Sequence, residues 1–201
     1  MAEKITKQVQ EIFKEKEQWE AFLELIPNKD KIIDDWNSKL KSSLNKMFGV
    51  ENIVDEWEFD STNEFKWYLR SSGKETLYLM LDGTDFCLYA NGEILDISQL
   101  KKLLREKDYL PILSAFERID YLLEDDEEWY LISETGNFSF GDLSDNNIDS
   151  DSLAWYANYK TDDFAKQIQQ KVDKFIKNKD ITKLLTKLID VTNIKNKKKK
   201  L

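Results

Sequence analysis

Asp60, Glu64 and Lys66 fall close together in the chain, and paired carboxylates followed by a lysine are a set that can hold a divalent cation and orient water toward a phosphoester. Asp55 offers a further carboxylate. In that reading Asp55 or Asp60 binds the metal with Glu64, and Lys66 positions the attacking water. The competing reading is a plain surface strand with a Glu58–Lys66 cross-strand pair, worth only about 0.2–1 kcal/mol.

Glu64-Phe65-Lys66 fits the Glu-x-Lys pattern of metal-dependent nucleases of the restriction type, and that resemblance implies a nuclease or phosphoesterase. The context departs from the family: three further hairpin strands follow where it returns to a helix. Asp82-Gly83-Thr84-Asp85 resembles part of the haloacid-dehalogenase phosphatase signature, but Met80 stands where its nucleophilic aspartate belongs. The chain has no histidine, which removes Ser-His-Asp and Cys-His nucleophiles and histidine-bearing zinc sites. It has no Gly-rich phosphate loop. The acidic stretch from Asp142 fails the calcium-loop spacing, with Ser150 and Tyr156 where glycine and glutamate are required. No cofactor or metal is expected.

Charge distribution points elsewhere. Residues 171–201 carry eleven lysines against Asp173, Asp180 and Asp190, a net +8, which leaves −17 on residues 1–170 of a chain whose total is −9. From Asp120 to Asp151 there are eleven acidic residues and no basic one. Asp125, Asp126, Glu127, Glu128, Asp142, Asp145, Asp149 and Asp151, with Trp129 as an aromatic anchor, are therefore the expected contact set for a basic protein partner. Charge of one sign speeds encounter and selects the partner, and an exposed aromatic supplies the anchor that is desolvated on binding. A toxin or a nucleic-acid enzyme would suit, as immunity proteins and polyanion mimics engage theirs. The expected function is a non-enzymatic binding or inhibitor module. Lys195, Lys197, Lys198, Lys199 and Lys200 form a basic tail, expected to be disordered and able to touch nucleic-acid phosphates weakly.

One cysteine, Cys87, permits no internal disulfide, and no long apolar run or leader pattern is present. A cytoplasmic protein without a membrane partner is the expectation. Abundant Lys, Asn and Ile with few Gly and Pro suit an AT-rich microbial or phage genome.

The elements that must position these residues are read from periodicity. Between Trp57 and Asp96 apolar residues alternate in short runs broken by turn residues, which predicts an antiparallel β-meander of about five strands over 53–96 with Trp57, Phe59, Phe65, Trp67, Leu69, Leu77, Leu79, Leu81, Phe86 and Leu88 on one buried face. A two-residue loop at Asp82-Gly83 sets Leu79 opposite Phe86. A three-residue loop with Gly73 left-handed sets Trp67 opposite Leu77, and a five-residue loop from Asp60 to Glu64 sets Phe59 opposite Phe65. The other face carries Glu58, Lys66, Tyr68, Arg70, Tyr78, Met80, Cys87 and Tyr89, for coverage by a helix or presentation to a partner.

Helical spacing predicts helices over 3–26 and 28–48, the second capped by Asn28 and stopped by a left-handed Gly49. Asp96 and Gln99 form a capping box, and Pro111 opens a helix through Leu123, giving helices over 97–123. Residues 129–140 read as a later hairpin. Helices follow over 152–190, with Thr161 and Asp180 as caps. The chain is thus one α+β domain over 1–193, a meander packed with N-terminal and C-terminal helices, with a basic tail at 194–201.

Overall fold

The computed structural model describes residues 16–54, 56–82, 85–117, 119, 121–122, 129–135, 138 and 150–194. It is an α+β fold built on a six-stranded antiparallel sheet. Its strands are β1 (Trp57–Asp60), β2 (Phe65–Leu69), β3 (Leu77–Asp82), β4 (Asp85–Asn91), β5 (Tyr121–Leu122) and β6 (Trp129–Thr135), in spatial order β1-β2-β3-β4-β6-β5. The first four form the meander. The last two pair with each other and close against β4.

Alternation decides which side is buried. Trp57, Trp67, Leu69, Leu77, Leu79, Phe86 and Leu88 are each no more than 2 % exposed, as a period of two requires of a face packed on helices. All three hairpin registers differ from expectation by two residues. Phe59 faces Trp67, Trp67 faces Leu79, and Leu79 faces Leu88. A shift of two keeps every inward side chain inward, so the apolar pattern fixes parity while the loops fix the count. The β3–β4 ladder runs to Asp82 opposite Asp85, and Gly83 and Thr84 between them lie outside the described residues. Gly73 does take a left-handed φ of 80°, within a longer loop than three residues.

Helices α1 (Lys16–Leu25) and α2 (Lys29–Phe48) are joined by a 3₁₀ turn, Ile26–Asn28, with Pro27 inside it. Asn28 does not cap α2; its side-chain amide donates backward to the Glu24 carbonyl at 3.0 Å. Nor is Gly49 left-handed. Its φ of −59° and ψ of 165° are extended, and its role is room, since a Cβ there would stand 2.6 Å from the Asn45 carbonyl oxygen.

After the sheet come α3 (Ile97–Leu104) and a single turn, α4 (Leu110–Leu113). Asp96 accepts from the Gln99 amide at 2.9 Å, the forward half of the capping box. The backward half is absent because the Asp96 amide donates to the Thr192 carbonyl at 2.8 Å. The helix expected from Pro111 through Leu123 stops at Leu113, and Tyr121 and Leu122 pair instead with Ser133 and Ile132. An open strand edge offers backbone partners that outcompete a weakly patterned helix.

The chain then forms α5 (Ser150–Tyr159), α6 (Thr161–Ile176) and α7 (Lys179–Thr192). Thr161 lies inside α6 and donates to the Ala157 carbonyl. The cap of α7 is Asn178, whose side chain accepts from the amides of Asp180 and Ile181, with Asp180 in the first turn rather than at the cap. Phe164, Ile168, Val172, Phe175, Leu185 and Leu188 are at most 1 % exposed against the sheet. Trp57 Nε1 donates to Thr182 Oγ1 at 3.1 Å, tying β1 to α7.

Every described helix from α2 to α7 contributes to this one core, and no described α1 side chain does. Among the described residues, the opposite sheet face holds a small cluster from the strands: Tyr78, Met80 and Cys87, flanked by Tyr68 and Tyr89. No helix among the described residues is long and apolar enough to cross a membrane.

Candidate functional site

The carboxylate and lysine set lies at the β1–β2 end of the sheet. Asp60 and Lys66 are opposite one another in the ladder, yet their side chains have other partners. The Asp60 carboxylate accepts from the Thr62 amide at 2.8 Å and lies 3.3 Å from Lys74 Nζ; Thr62 and then Lys74 hold it below the usual aspartate range. Lys66 pairs with Glu64 at 2.9 Å and places its ammonium 4.5 Å from the centre of the Tyr78 ring. The expected Glu58–Lys66 pair is replaced, because the register shift sets Glu58 opposite Tyr68. Tyr68 Oη and Arg70 Nε each donate to Glu58 at 2.8 Å and depress its carboxyl. Asp60, Glu64 and Lys66 are thus brought to one end of the sheet but not to one point. Among the described residues no three metal-ligating side chains gather. Asp55 lies outside the described residues.

This face is a ladder of tyrosines and ion pairs. Tyr78 and Tyr89 rings sit 4.9 Å apart. Burial, then the Glu58 contact, pushes the Tyr68 hydroxyl up to about 12, and burial pushes the Cys87 thiol up to about 12. A thiol so held is inert at neutral pH, as expected for a small apolar filler at mid-strand.

A cleft of about 540 Å³ opens between α2, the β1–β2 turn and the end of β3. Asp34, Asn37, Lys41, Asn63, Glu64 and Asp82 rim a floor that includes Phe65 and Phe164. Of the described catalytic candidates only Glu64 lines it, with its charge already matched by Lys66. The α2 residues escaped sequence reading because they gather only when three separate elements fold together.

The acidic contact set is located through its neighbours. The acids of 124–128 join β5 to β6, and these two strands pair at the sheet edge; residues 141–149 lead toward α5. Asp125, Asp126, Glu127, Glu128, Asp142, Asp145 and Asp149 lie outside the described residues, as does the tail from Lys195 to Lys200. Trp129 begins β6 and Asp151 lies in the first turn of α5.

Among the described residues, two exposed apolar surfaces lie outside the contact set expected from the sequence. On α5, Trp155 is 42 % exposed and Tyr159 60 %, with rings 4.9 Å apart and Tyr159 set edge-on to Trp36. At the α1–α2 elbow, Leu25 is 54 % and Ile26 52 % exposed. They line an apolar groove of about 330 Å³ with Ile32, Ile33 and Trp36. Comparison of the chain with protein-family models, curated proteins and solved structures finds no match.

Proposed function

We propose that this chain is a non-enzymatic, cytoplasmic protein-binding module whose acidic surface engages a basic partner, in the manner of an inhibitor or immunity-type protein. The observation that carries the reading is the pairing of β5 with β6, which flanks the run Glu124 to Glu128 with strands anchored in the sheet. Acidic residues concentrated in one short run of the chain, Glu124 to Glu128, steer encounter with a basic partner more than the same charges spread along it. The exposed Trp155–Tyr159 pair on α5, just after the second acidic stretch, adds the desolvatable anchors that charge alone lacks.

The test is recovery of a partner by the tagged chain from its native cell, at low and high salt. A basic protein released by salt is expected. Its retention should fall at least ~10-fold for the variant Asp125→Asn, Asp126→Asn, Glu127→Gln, Glu128→Gln, and again for Trp155→Ala, Tyr159→Ala. A partner held equally by the neutralised variant sinks the proposal. So does Mg²⁺- or Mn²⁺-dependent cleavage of nucleic acid that Lys66→Ala abolishes.

A further inference from the structure

The cleft between α2, the β1–β2 turn and the end of β3 has, at about 540 Å³, the size that takes a small organic molecule. Its floor is apolar. Leu40, Phe65, Leu81, Leu153 and Phe164 come to it from α2, the sheet, α5 and α6. All but Phe65 are buried, so the floor belongs to the packed core and is formed without a ligand.

The rim is polar, and the hydrogen bonds already made there decide what it can still do. Ser38 Oγ donates to the Asp35 carbonyl at 2.6 Å, and Ser61 Oγ donates to Asn45 Oδ1 at 3.0 Å. A hydroxyl has one proton and two lone pairs, so with the proton committed each of these oxygens offers a newcomer acceptors alone. The Lys41 ammonium is drawn aside to the Thr62 carbonyl at 3.2 Å, and Glu64 is matched by Lys66. Asp34 on α2 and Asp82 at the end of β3 remain. Both are exposed on the lining of the cleft, and among the described residues neither carboxylate has an ion pair or a hydrogen bond.

Acceptors above an apolar floor suit a ligand that is positively charged, rich in donors and apolar in its middle. A hard metal ion does not meet that description, because the floor offers it no oxygen and among the described residues no three metal-ligating side chains gather. Two uncompensated carboxylates from different elements call instead for two positive charges joined by a stem that the floor can cover. We propose that the cleft is a binding site for a linear aliphatic diamine, its ammonium ends held by Asp34 and Asp82 and its methylene stem laid on Phe65 and Phe164. Each ammonium brings three N–H donors, enough to bond a carboxylate and a serine oxygen together, and a charge-assisted bond is about twice as strong as a neutral one.

Calorimetric titration of the full chain with cadaverine tests the proposal, beside pentylamine, which keeps the stem and loses one ammonium. One cadaverine per chain is expected, with pentylamine at least ~10-fold weaker. Asp34→Asn and Asp82→Asn, each at an exposed position where the fold tolerates change, should each weaken cadaverine at least ~10-fold and bring it close to pentylamine. Glu20→Gln, on α1 and outside the cleft, should leave its affinity unchanged. Absence of cadaverine binding, equal binding of the two amines, or binding undiminished in both aspartate variants overturns the proposal. So does an equal loss in Glu20→Gln, which would show attraction to the net charge of −9 rather than to the cleft.

Discussion

The chain holds two pairs of consecutive amphipathic helices, and they end in opposite conditions. In the C-terminal pair, α6 and α7, the apolar stripe is sealed: Phe164, Ile168, Val172, Phe175, Leu185 and Leu188 are at most 1 % exposed. In the N-terminal pair the stripe divides. Leu40, Leu44 and Phe48 on the second half of α2 are buried, while Leu25 and Ile26 at the elbow are about half exposed. Both pairs have the spacing of a helix that must bury one face. The difference is the target: α7 meets β1 through Thr182 and Trp57 and ends against the turn after β4, where Ile194 donates to the Ile94 carbonyl at 3.0 Å. At the elbow no described α1 side chain joins the core. Burial therefore concentrates stability in the C-terminal pair and the second half of α2, and leaves the elbow outside it.

Cutting a side chain from each pair probes that division most strongly. Phe175→Ala empties a site packed on Phe86 and Phe116, and aromatic truncation in a core costs about 3–5 kcal/mol. Leu25→Ala removes a half-exposed side chain and should change stability by less than about 0.5 kcal/mol. Urea unfolding monitored by tryptophan fluorescence measures both. Equal losses would mean that the elbow belongs to the core after all.

A smaller contrast lies in two asparagines, one preceding α2 and one preceding α7. Asn178 accepts from two amides of α7, whereas Asn28 accepts from none of α2. Replacing a working cap by alanine costs about 1 kcal/mol. Asn178→Ala should show that loss and Asn28→Ala only a few tenths, a difference read from the midpoints of the same unfolding curves. A larger loss at Asn28 would show that α2 depends on its entry turn.

How far the sequence reaches is seen in these same residues. Alternation put Trp67, Leu79 and Phe86 on the inner face correctly, because a one-residue slip would expose them all. It left each register two residues off, because loops of different length satisfy the same alternation, and loop length is settled by contacts such as Thr76 Oγ1 to the Ser72 carbonyl at 2.7 Å. Both Asn28 and Asp180 have the chemistry of caps, and only the backbone path decides that Asn178 is used. Tyr121 and Leu122 read as helix because their strand partner, β6, is distant in sequence. Of the candidate site, Glu64 and Lys66 were legible as neighbours. Their pairing with each other, and the diversion of Asp60 to Lys74, required the folded loop.

The smallest expected contrast is electrostatic and depends on pH. Glu117 lies against α6, bonded to Lys174 and 3.6 Å from the nearly buried Lys171. The Lys174 bond, ahead of any other cause, holds its carboxyl below the usual glutamate range. A depressed carboxylate stabilises the fold fully above its unfolded value, near 4.3, and loses that contribution as pH falls through the lower folded value. On α1 the corresponding pair, Lys16–Glu20 at 3.2 Å, is 86 % and 55 % exposed, and solvent screens it. Glu117→Gln should therefore remove part of the stability at pH 7, roughly 0.5 kcal/mol for a half-exposed pair, and flatten the decline below pH 4.3. Glu20→Gln should leave the profile superimposable on that of the parent chain. Stability measured from pH 7 down to pH 3 separates the two, and a matching acid decline in both variants would mean that the pair on α6 is as well screened as the one on the elbow.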